Sequence, residues 1–445
     1  MSKYYYIETF GCQMNVHESE KLAGCVKEMG YEPVDTKELA DIIIFNTCCI
    51  RDTAENKILG NIGELKALKR AKKELVVVIV GCMTQQEGKA EIIKQKFPFV
   101  DIILGTTNTH LLREHIEELF VKRARNRGKI IDIQQIDKPD IIENEPVYRT
   151  SYPNAWVNIM YGCNNFCTYC IVPFVRGRER SRAPEDILQE VKSLIAEGYK
   201  EITLLGQNVD SYGSDRNDGW DFARLIDEIG AISGKFRLRF MTSHPKDLSE
   251  KVIQTIAKHP NICNNIHLPV QAGSNNVLKA MNRKYTREKY FELVDTIKKY
   301  MPDCGITSDI MVGFPGETEE DFLETLDLVE KVRYSNAFTF IYSPRKGTVA
   351  AKMEQIPYAI KKERITRLIE LQNRITCELS ATYVGNIYEV LVEDVTKAGL
   401  LCGRTESGRL VNFAGDKSLI GQFINVKISR AKAQALWGDI IYEEE

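Results

Sequence analysis

Residues 156–173 read WVNIMYGCNNFCTYCIVP, an apolar run that opens onto a loop where Cys163, Cys167 and Cys170 follow a C-x3-C-x2-C spacing. Asn164 and Asn165 inside the run and Pro173 after it mark the segment as a loop rather than more strand. Three thiolates on so short a loop can wrap one small metal centre. A structural zinc site normally wants four ligands, and neither a second CxxC pair nor a nearby His completes this one. An iron-sulfur cluster also usually takes four cysteines, so three would leave one iron open to an outside ligand. A zinc loop or chance spacing is the bland alternative.

Downstream the same rhythm of strand, punctuation and helix recurs in EITLLGQNV (201–209), RLRFMTSHP (237–245), NNIHLPVQAGS (264–274), GITSDIMVGFPGE (305–317) and NAFTFIYSPRKG (336–347). With the opening run this makes six strands, each followed by a helical segment, which predicts a partial (β/α)6 barrel with its site at the strand carboxyl ends. An amphipathic stretch from Tyr358 to Leu379 predicts a closing helix. Upstream, three apolar runs each end on a cysteine: YYYIETFGC at Cys12, ADIIIFNTC at Cys48 and LVVVIVGC at Cys82, while VDIILGTTN (100–108) ends without one. Near-continuous apolar strands alternating with helices predict a doubly wound parallel sheet. The carboxyl ends of such a sheet share one edge, which binds ligands, so the three cysteines should converge. After Tyr383, five short runs with Gly turns predict a small β-barrel. The expected division is therefore 1–120, a basic and polar linker over 121–149, a core over 150–380 and the small barrel over 381–445.

A formal charge of −2, with 27% charged and 43% hydrophobic residues over 445 positions, fits a globular chain and leaves nucleic-acid binding to local basic stripes. Two such stripes stand out: Lys122, Arg123, Arg125, Arg127 and Lys129 in the linker, and Arg176, Arg178, Arg180 and Arg182 after the cysteine loop. The second suggests a polyanionic substrate, since phosphate neutralisation supplies most nonspecific nucleic-acid affinity. The opening residues, MSKYYYIETFGCQMN, do not have the form of a signal peptide, and no apolar run approaches the roughly 20 residues of a spanning helix, so a cytoplasmic protein with no membrane partner is expected. There, twelve cysteines are better read as thiols, ligands or nucleophiles than as disulfides. Cys49 adjoins a candidate ligand but should point to the opposite face. Cys25, Cys263, Cys304, Cys377 and Cys402 form no spaced set and are expected to pack. His244 and His267, at strand ends, are site candidates only.

The strings NIMYGCNNFCTYCIVPFVRG, LLGQNV, TSHP, HLPVQAGS, VGFPGET and YSPRKGT resemble the methylthiotransferases of the radical S-adenosylmethionine superfamily, and the resemblance covers essentially the whole chain. It implies two 4Fe-4S clusters and S-adenosyl-L-methionine as cofactors, with Cys163, Cys167 and Cys170 holding the radical cluster. By the same resemblance Cys12, Cys48 and Cys82 hold a second cluster with one iron unblocked, and the C-terminal barrel is TRAM-like. Tyr169 would contact adenine through its backbone, Gly206 and Gln207 the cofactor's amino group, and Gly313 of the GFPGE turn would form a wall of that site. The implied reaction replaces the C2 hydrogen of a prenylated adenosine beside a tRNA anticodon with a methylthio group. One S-adenosylmethionine would methylate a sulfur on the second cluster, and another would yield the 5′-deoxyadenosyl radical. The implied partners are tRNA, an electron donor such as flavodoxin or ferredoxin, and a sulfur donor. Sister enzymes acting on threonylcarbamoyl adenosine or on a ribosomal-protein aspartate are the alternatives within the family, and a nonenzymatic iron-sulfur RNA-binding protein is the alternative outside it.

Overall fold

The computed structural model describes residues 3–49, 52–124, 128–135 and 138–442. The chain divides into two compact units: Met1–Thr150 with Tyr161–Asn164 and Cys170–Arg180, and Ser151–Met160 with Asn165–Tyr169 and Ser181–Glu445.

The first unit holds β1 (Lys3–Thr9), α1 (Gln13–Glu28), β2 (Tyr31–Pro33), β3 (Ile42–Thr47), α2 (Asp52–Ala71), β4 (Val76–Gly81), α3 (Cys82–Gln85), α4 (Lys89–Lys96), β5 (Ile102–Leu104), α5 (Leu112–Ala124) and β6 (Ile130–Asp132). The strands form one parallel sheet in the order β2-β1-β3-β4-β5-β6. Every residue of β3 and β4 is buried, because alternate side chains meet helices on opposite faces. Ile42, Ile44, Val76 and Val78 pack with Leu22 and Val26 of α1 and Leu112 and Ile116 of α5. Ile43, Phe45, Val77 and Ile79 pack with Ile58 and Ile62 of α2 and Ile93 of α4. The sheet is thus doubly wound, and its strand order reverses between β1 and β3, the kind of switch point where such sheets bind ligands.

The stretch 121–149, whose charge reads as a linker, contains the end of α5 and all of β6. Strand β6 pairs with β5 through Ile102↔Ile130, so part of the stretch has a core face. Lys122 pairs with Glu118 at 2.6 Å and Arg123 with Asp101 at 2.8 Å, so two of its cations are engaged within the unit. Arg125 and Arg127 lie outside the described residues.

The remaining elements of the chain are β7 (Asn154–Asn158), β8 (Met160–Tyr161), α6 (Val172–Arg176), β9 (Arg180–Ser181), α7 (Pro184–Ala196), β10 (Glu201–Leu205), α8 (Phe222–Gly230), β11 (Arg237–Phe240), α9 (Glu250–Lys258), β12 (Asn265–His267), α10 (Asn275–Ala280), α11 (Arg287–Tyr300), β13 (Gly305–Val312), α12 (Glu319–Val332), β14 (Asn336–Ile341), α13 (Tyr358–Ala381), β15 (Ile387–Val395), β16 (Leu401–Thr405), β17 (Leu410–Phe413), β18 (Phe423–Ala431) and β19 (Leu436–Ile440). Helix α6 belongs to the first unit. In the second unit, β7, β10 and β11 form one parallel trio and β12, β13 and β14 another, bridged by Leu238 and Ile262. This is the expected arc of six parallel strands, and α13 is its closing helix. Strands β15–β19 close into a five-stranded barrel. The barrel rests on the amino ends of β10 and β11: Arg237 donates to the carbonyls of Arg404 (2.7 Å) and Glu389 (2.9 Å). Arg239 forks onto Glu201 at 2.9 and 3.0 Å. Among the described residues no helix is long and apolar enough to cross a membrane.

Candidate functional site

Cys12 caps α1 just after β1, Cys48 follows β3 and Cys82 opens α3 after β4, so all three lie at carboxyl ends of neighbouring strands. The first two flank the switch point. Their loops approach closely: a Cβ on Gly11, whose φ is +119°, would lie 2.7 Å from Cys48 Cβ and 2.9 Å from its Sγ. Asn15 ties the loops together, its amide donating to Phe10 O (2.8 Å) and Thr47 O (3.1 Å), while Cys12 Sγ stands 3.9 Å from Asn15 Oδ1.

Cys49 does not turn away. Strand β3 ends at Thr47, so alternation no longer governs Cys48 and Cys49, and Cys49 packs with Cys82 in a small buried cluster with Ile171 and Val175. The neighbouring Cys49, ahead of the guanidinium of Arg176, holds the Cys82 thiol below its ordinary range against the effect of burial. The same contact and burial push Cys49 well up. Cys263 packs as expected, fully buried, but Cys377 is exposed on α13.

Among the described residues no three His, Cys, Asp or Glu side chains are arranged to hold one metal ion. A four-iron cluster takes each thiolate on a different iron, so its ligands stand farther apart than those of one ion. Three cysteines on adjoining strand ends, with a buried cation among them and glycine where Cys48 needs room, fit such a group.

The arginines after the cysteine loop do not form the exposed stripe their spacing suggests. Arg176 is buried, donating to Met14 Sδ (2.8 Å) and Asn15 Oδ1 (3.0 Å), with the Cys82 thiol in its field. Arg180 donates to the carbonyls of Arg176 (3.2 Å) and Arg178 (3.1 Å). Within the second unit, Arg182 is buried against Asn158 O (2.7 Å) and Glu190 (2.8 Å). Charge counting cannot tell a solvated cation from one with an internal partner.

The loop of Cys163, Cys167 and Cys170 is pinned piecewise. In the first unit, Cys163 N–H donates to Gly177 O (3.1 Å), and Asn164 and Glu179 exchange two hydrogen bonds of 3.1 and 3.3 Å. In the second unit, Asn282 donates to Phe166 O (2.9 Å), Thr168 N–H donates to Met281 O (3.0 Å), and Arg283 Nη1 stands 3.7 Å from Cys167 Sγ. Arg283 is buried and also donates to Pro269 O (2.6 Å) and the Tyr285 hydroxyl (3.1 Å). Nothing in the sequence around residues 281–285 signals this role, because the link is made only in three dimensions.

The Tyr169 ring packs edge-on to Phe314, 6.5 Å between centroids, which sets it beside the turn that holds Gly313. Gly206 follows β10, where a Cβ would lie 2.7 Å from Met160 Cγ, and its carbonyl accepts from Thr242 (2.7 Å). Gln207 beside it is half-buried. Gly313 has φ +72° and donates to Glu317 Oε1 (2.9 Å), which Arg364 holds at 2.7 Å. The side a Cβ would occupy is filled by Lys361, so packing of α13 is one reason for glycine there. At the same rim, His244 is buried, and burial, then Arg283 and Lys246, push its pKa down to about 2. Its backbone N–H donates to Asp210 (2.8 Å), whose carboxyl is pushed up to about 7, chiefly by burial. His267 meets Thr307 at 3.0 Å instead.

The radical SAM superfamily is matched over residues 157–329, the uncharacterized protein family UPF0004 over 4–105 and the TRAM domain over 381–441. The chain is 52% identical over 441 residues to a tRNA-2-methylthio-N(6)-dimethylallyladenosine synthase of Thermoanaerobacter pseudethanolicus, covering 98% of this chain and 93% of that one. To the protein of that name from Clostridium botulinum strain Langeland it is 54% identical over 440 residues, covering 98% and 97%. The fold is similar to the radical S-adenosylmethionine methyltransferase TsrM from Kitasatospora setae, with TM-score 0.58, 13% identity and coverage of 79% and 77%. Both synthases thus match this chain at over half identity along nearly its full length. The chain belongs to the tRNA-2-methylthio-N(6)-dimethylallyladenosine synthase family of radical S-adenosylmethionine enzymes.

Proposed function

We infer that the chain replaces the C2 hydrogen of N6-(dimethylallyl)adenosine, next to the anticodon of a tRNA, with a methylthio group. The observation that carries this reading is the pair of three-cysteine sets: one on the loop after β7, the other on the adjoining ends of β1, β3 and β4. The cofactors are S-adenosyl-L-methionine and two 4Fe-4S clusters. In this reading Cys163, Cys167 and Cys170 hold the radical cluster, and Cys12, Cys48 and Cys82 the second. When bound, these groups supply radical chemistry and a sulfur atom at C2 of a purine, a carbon with no acidic proton and no polar handle. The protein's part is to position and shield. Tyr169, Gly206, Gln207 and Gly313 orient the cofactor, and Arg283 with Asn282 fixes the loop around Cys167.

The functional division is a second-cluster domain over 1–120, a connecting stretch over 121–149, the radical core over 150–380 and the TRAM-like barrel over 381–445. A tRNA is the substrate. Flavodoxin or ferredoxin as electron donor, a separate sulfur donor and a cytoplasmic location complete the reading.

The prenyl group explains how one adenosine is chosen. Bringing C2 to the cofactor takes the base out of its stack at about a few kcal/mol. Burying five prenyl carbons at about 0.8 kcal/mol each recovers roughly 2–4 kcal/mol. Mass spectrometry of tRNA nucleosides from cells with and without the protein tests the reading. The 2-methylthio product should vanish and its prenylated precursor accumulate. A change confined to threonylcarbamoyl adenosine would move the protein to the sister family, and no change at all would defeat the reading.

A further inference from the structure

Helix α6 begins two residues after Cys170 and ends at Arg176, where Gly177, with φ +73°, turns the chain away. Ile171 and Val175 seat this short helix against Cys49 and Cys82. Its last side chain enters the pocket of the N-terminal cysteines. Arg176 is only 8% exposed, and its hydrogen-bond partners are a thioether and an amide oxygen, both neutral groups. It makes no ion pair among the described residues. Its electrostatic neighbours are Cys82, Cys12 and Glu18.

A buried cation costs several kcal/mol unless an opposite charge meets it. Here the groups able to become anionic around it are the cysteines themselves, with the Glu18 carboxylate also in its field. Asn15, which accepts from Arg176, also donates to the carbonyls that precede Gly11 and Cys48. The guanidinium is thus braced against the two loops that carry Cys12 and Cys48, with Cys82 in its field.

We propose that Arg176 is a positioning residue for the second cluster, compensating the negative charge of its thiolates and thereby raising the cluster's reduction potential. The inference rests on the assignment of Cys12, Cys48 and Cys82 to that cluster. The sign follows from charge: reduction adds an electron, and a fixed cation beside the thiolates favours the more negative state. A role as a mere brace between α1 and α6 would fix geometry without this electrical effect.

The test uses the full-length chain with Cys163, Cys167 and Cys170 all changed to Ala, so that only the second cluster is present, reconstituted anaerobically and titrated with dithionite under electron paramagnetic resonance. In that background Arg176→Gln should shift the one-electron equilibrium at least tenfold toward the oxidised form, about 59 mV to more negative potential. Arg176→Lys, which keeps the charge and loses the fork, should recover part of the shift. Retention of the cluster by the Lys variant but not the Gln variant would also support the charge role. An unmoved potential at full iron content, a Lys variant no better than Gln, or loss of the cluster from both would overturn it. If the parent of these variants bound no cluster at all, the cysteine assignment itself would fall, and that outcome is distinct from the others.

Discussion

The two cysteine sets solve one chemical problem in opposite ways. Cys163, Cys167 and Cys170 are neighbours in sequence, on a single loop. Cys12, Cys48 and Cys82 are brought together only by strand order, because β1, β3 and β4 lie side by side and run the same way. The first set depends on local chain conformation and the second on the whole fold of its unit. The comparison teaches which damage each can survive.

The largest effect should come from removing one proposed ligand of each. Cys163→Ala should abolish reductive cleavage of S-adenosylmethionine, whereas Cys12→Ala should leave cleavage intact and stop methylthiolation. Quantifying 5′-deoxyadenosine and methylthiolated tRNA in parallel checks this, and equal cleavage by both variants would erase the distinction.

A sharper cut leaves all six cysteines in place. Gly11→Ala puts a Cβ against Cys48 at a φ that favours glycine, a strain of about 1–3 kcal/mol. Iron per reconstituted chain should fall from about eight to about four while cofactor cleavage continues. Full iron content would mean that the scattered set tolerates local damage as well as the contiguous one does.

A pH series separates the two strand-end rims by stability. Asp210 sits in the second unit with its carboxyl raised to about 7 by burial. Between its unfolded pKa near 3.9 and that folded value the native state binds more protons than the unfolded chain. This carboxyl therefore makes stability fall as pH rises through that window. Asp210→Asn, which keeps an acceptor for His244 N–H, should be more stable than the parent by on the order of 2–4 kcal/mol above pH about 7. The gap should close toward pH 4. Denaturant melts at three pH values test this, and a pH-independent gap would contradict the burial argument.

The smallest effect is expected at Lys122. Because it is paired with Glu118, Lys122→Ala should change tRNA affinity less than about twofold and the salt slope by less than about one. A larger loss, read by filter binding across a salt series, would restore 121–149 as an RNA-contacting stretch.

The sheet was legible because β3 and β4 are continuous apolar runs, a pattern that burial on both faces demands, and the six-strand arc and the barrel because short strand-like runs recur with polar or glycine punctuation after each. Strand β6 was not, since Ile130–Asp132 is too short to show a period. Cys49 was misjudged because alternation was extended past the end of β3. The spacing of Arg176 suggests a stripe for a polyanionic substrate and nothing marks Arg283, for one reason: a buried cation is defined by partners distant in sequence, and composition carries no record of them.

The seating of the barrel on Arg237 and Arg239 bears on the protein's fate in a cell. The acceptors for Arg237 are carbonyls of Arg404 and Glu389, and Arg239 reaches Thr405 O at 3.5 Å, all supplied by β15 and β16 of the barrel. A chain that stops short of residue 387 leaves Arg237 at the base of the core without these acceptors and Arg239 with its Glu201 fork alone, an uncovered polar seam that favours local opening. Proteases that sample such openings should clear truncated chains quickly, so incomplete synthesis would surface as low abundance rather than as an enzyme with a weakened grip on RNA.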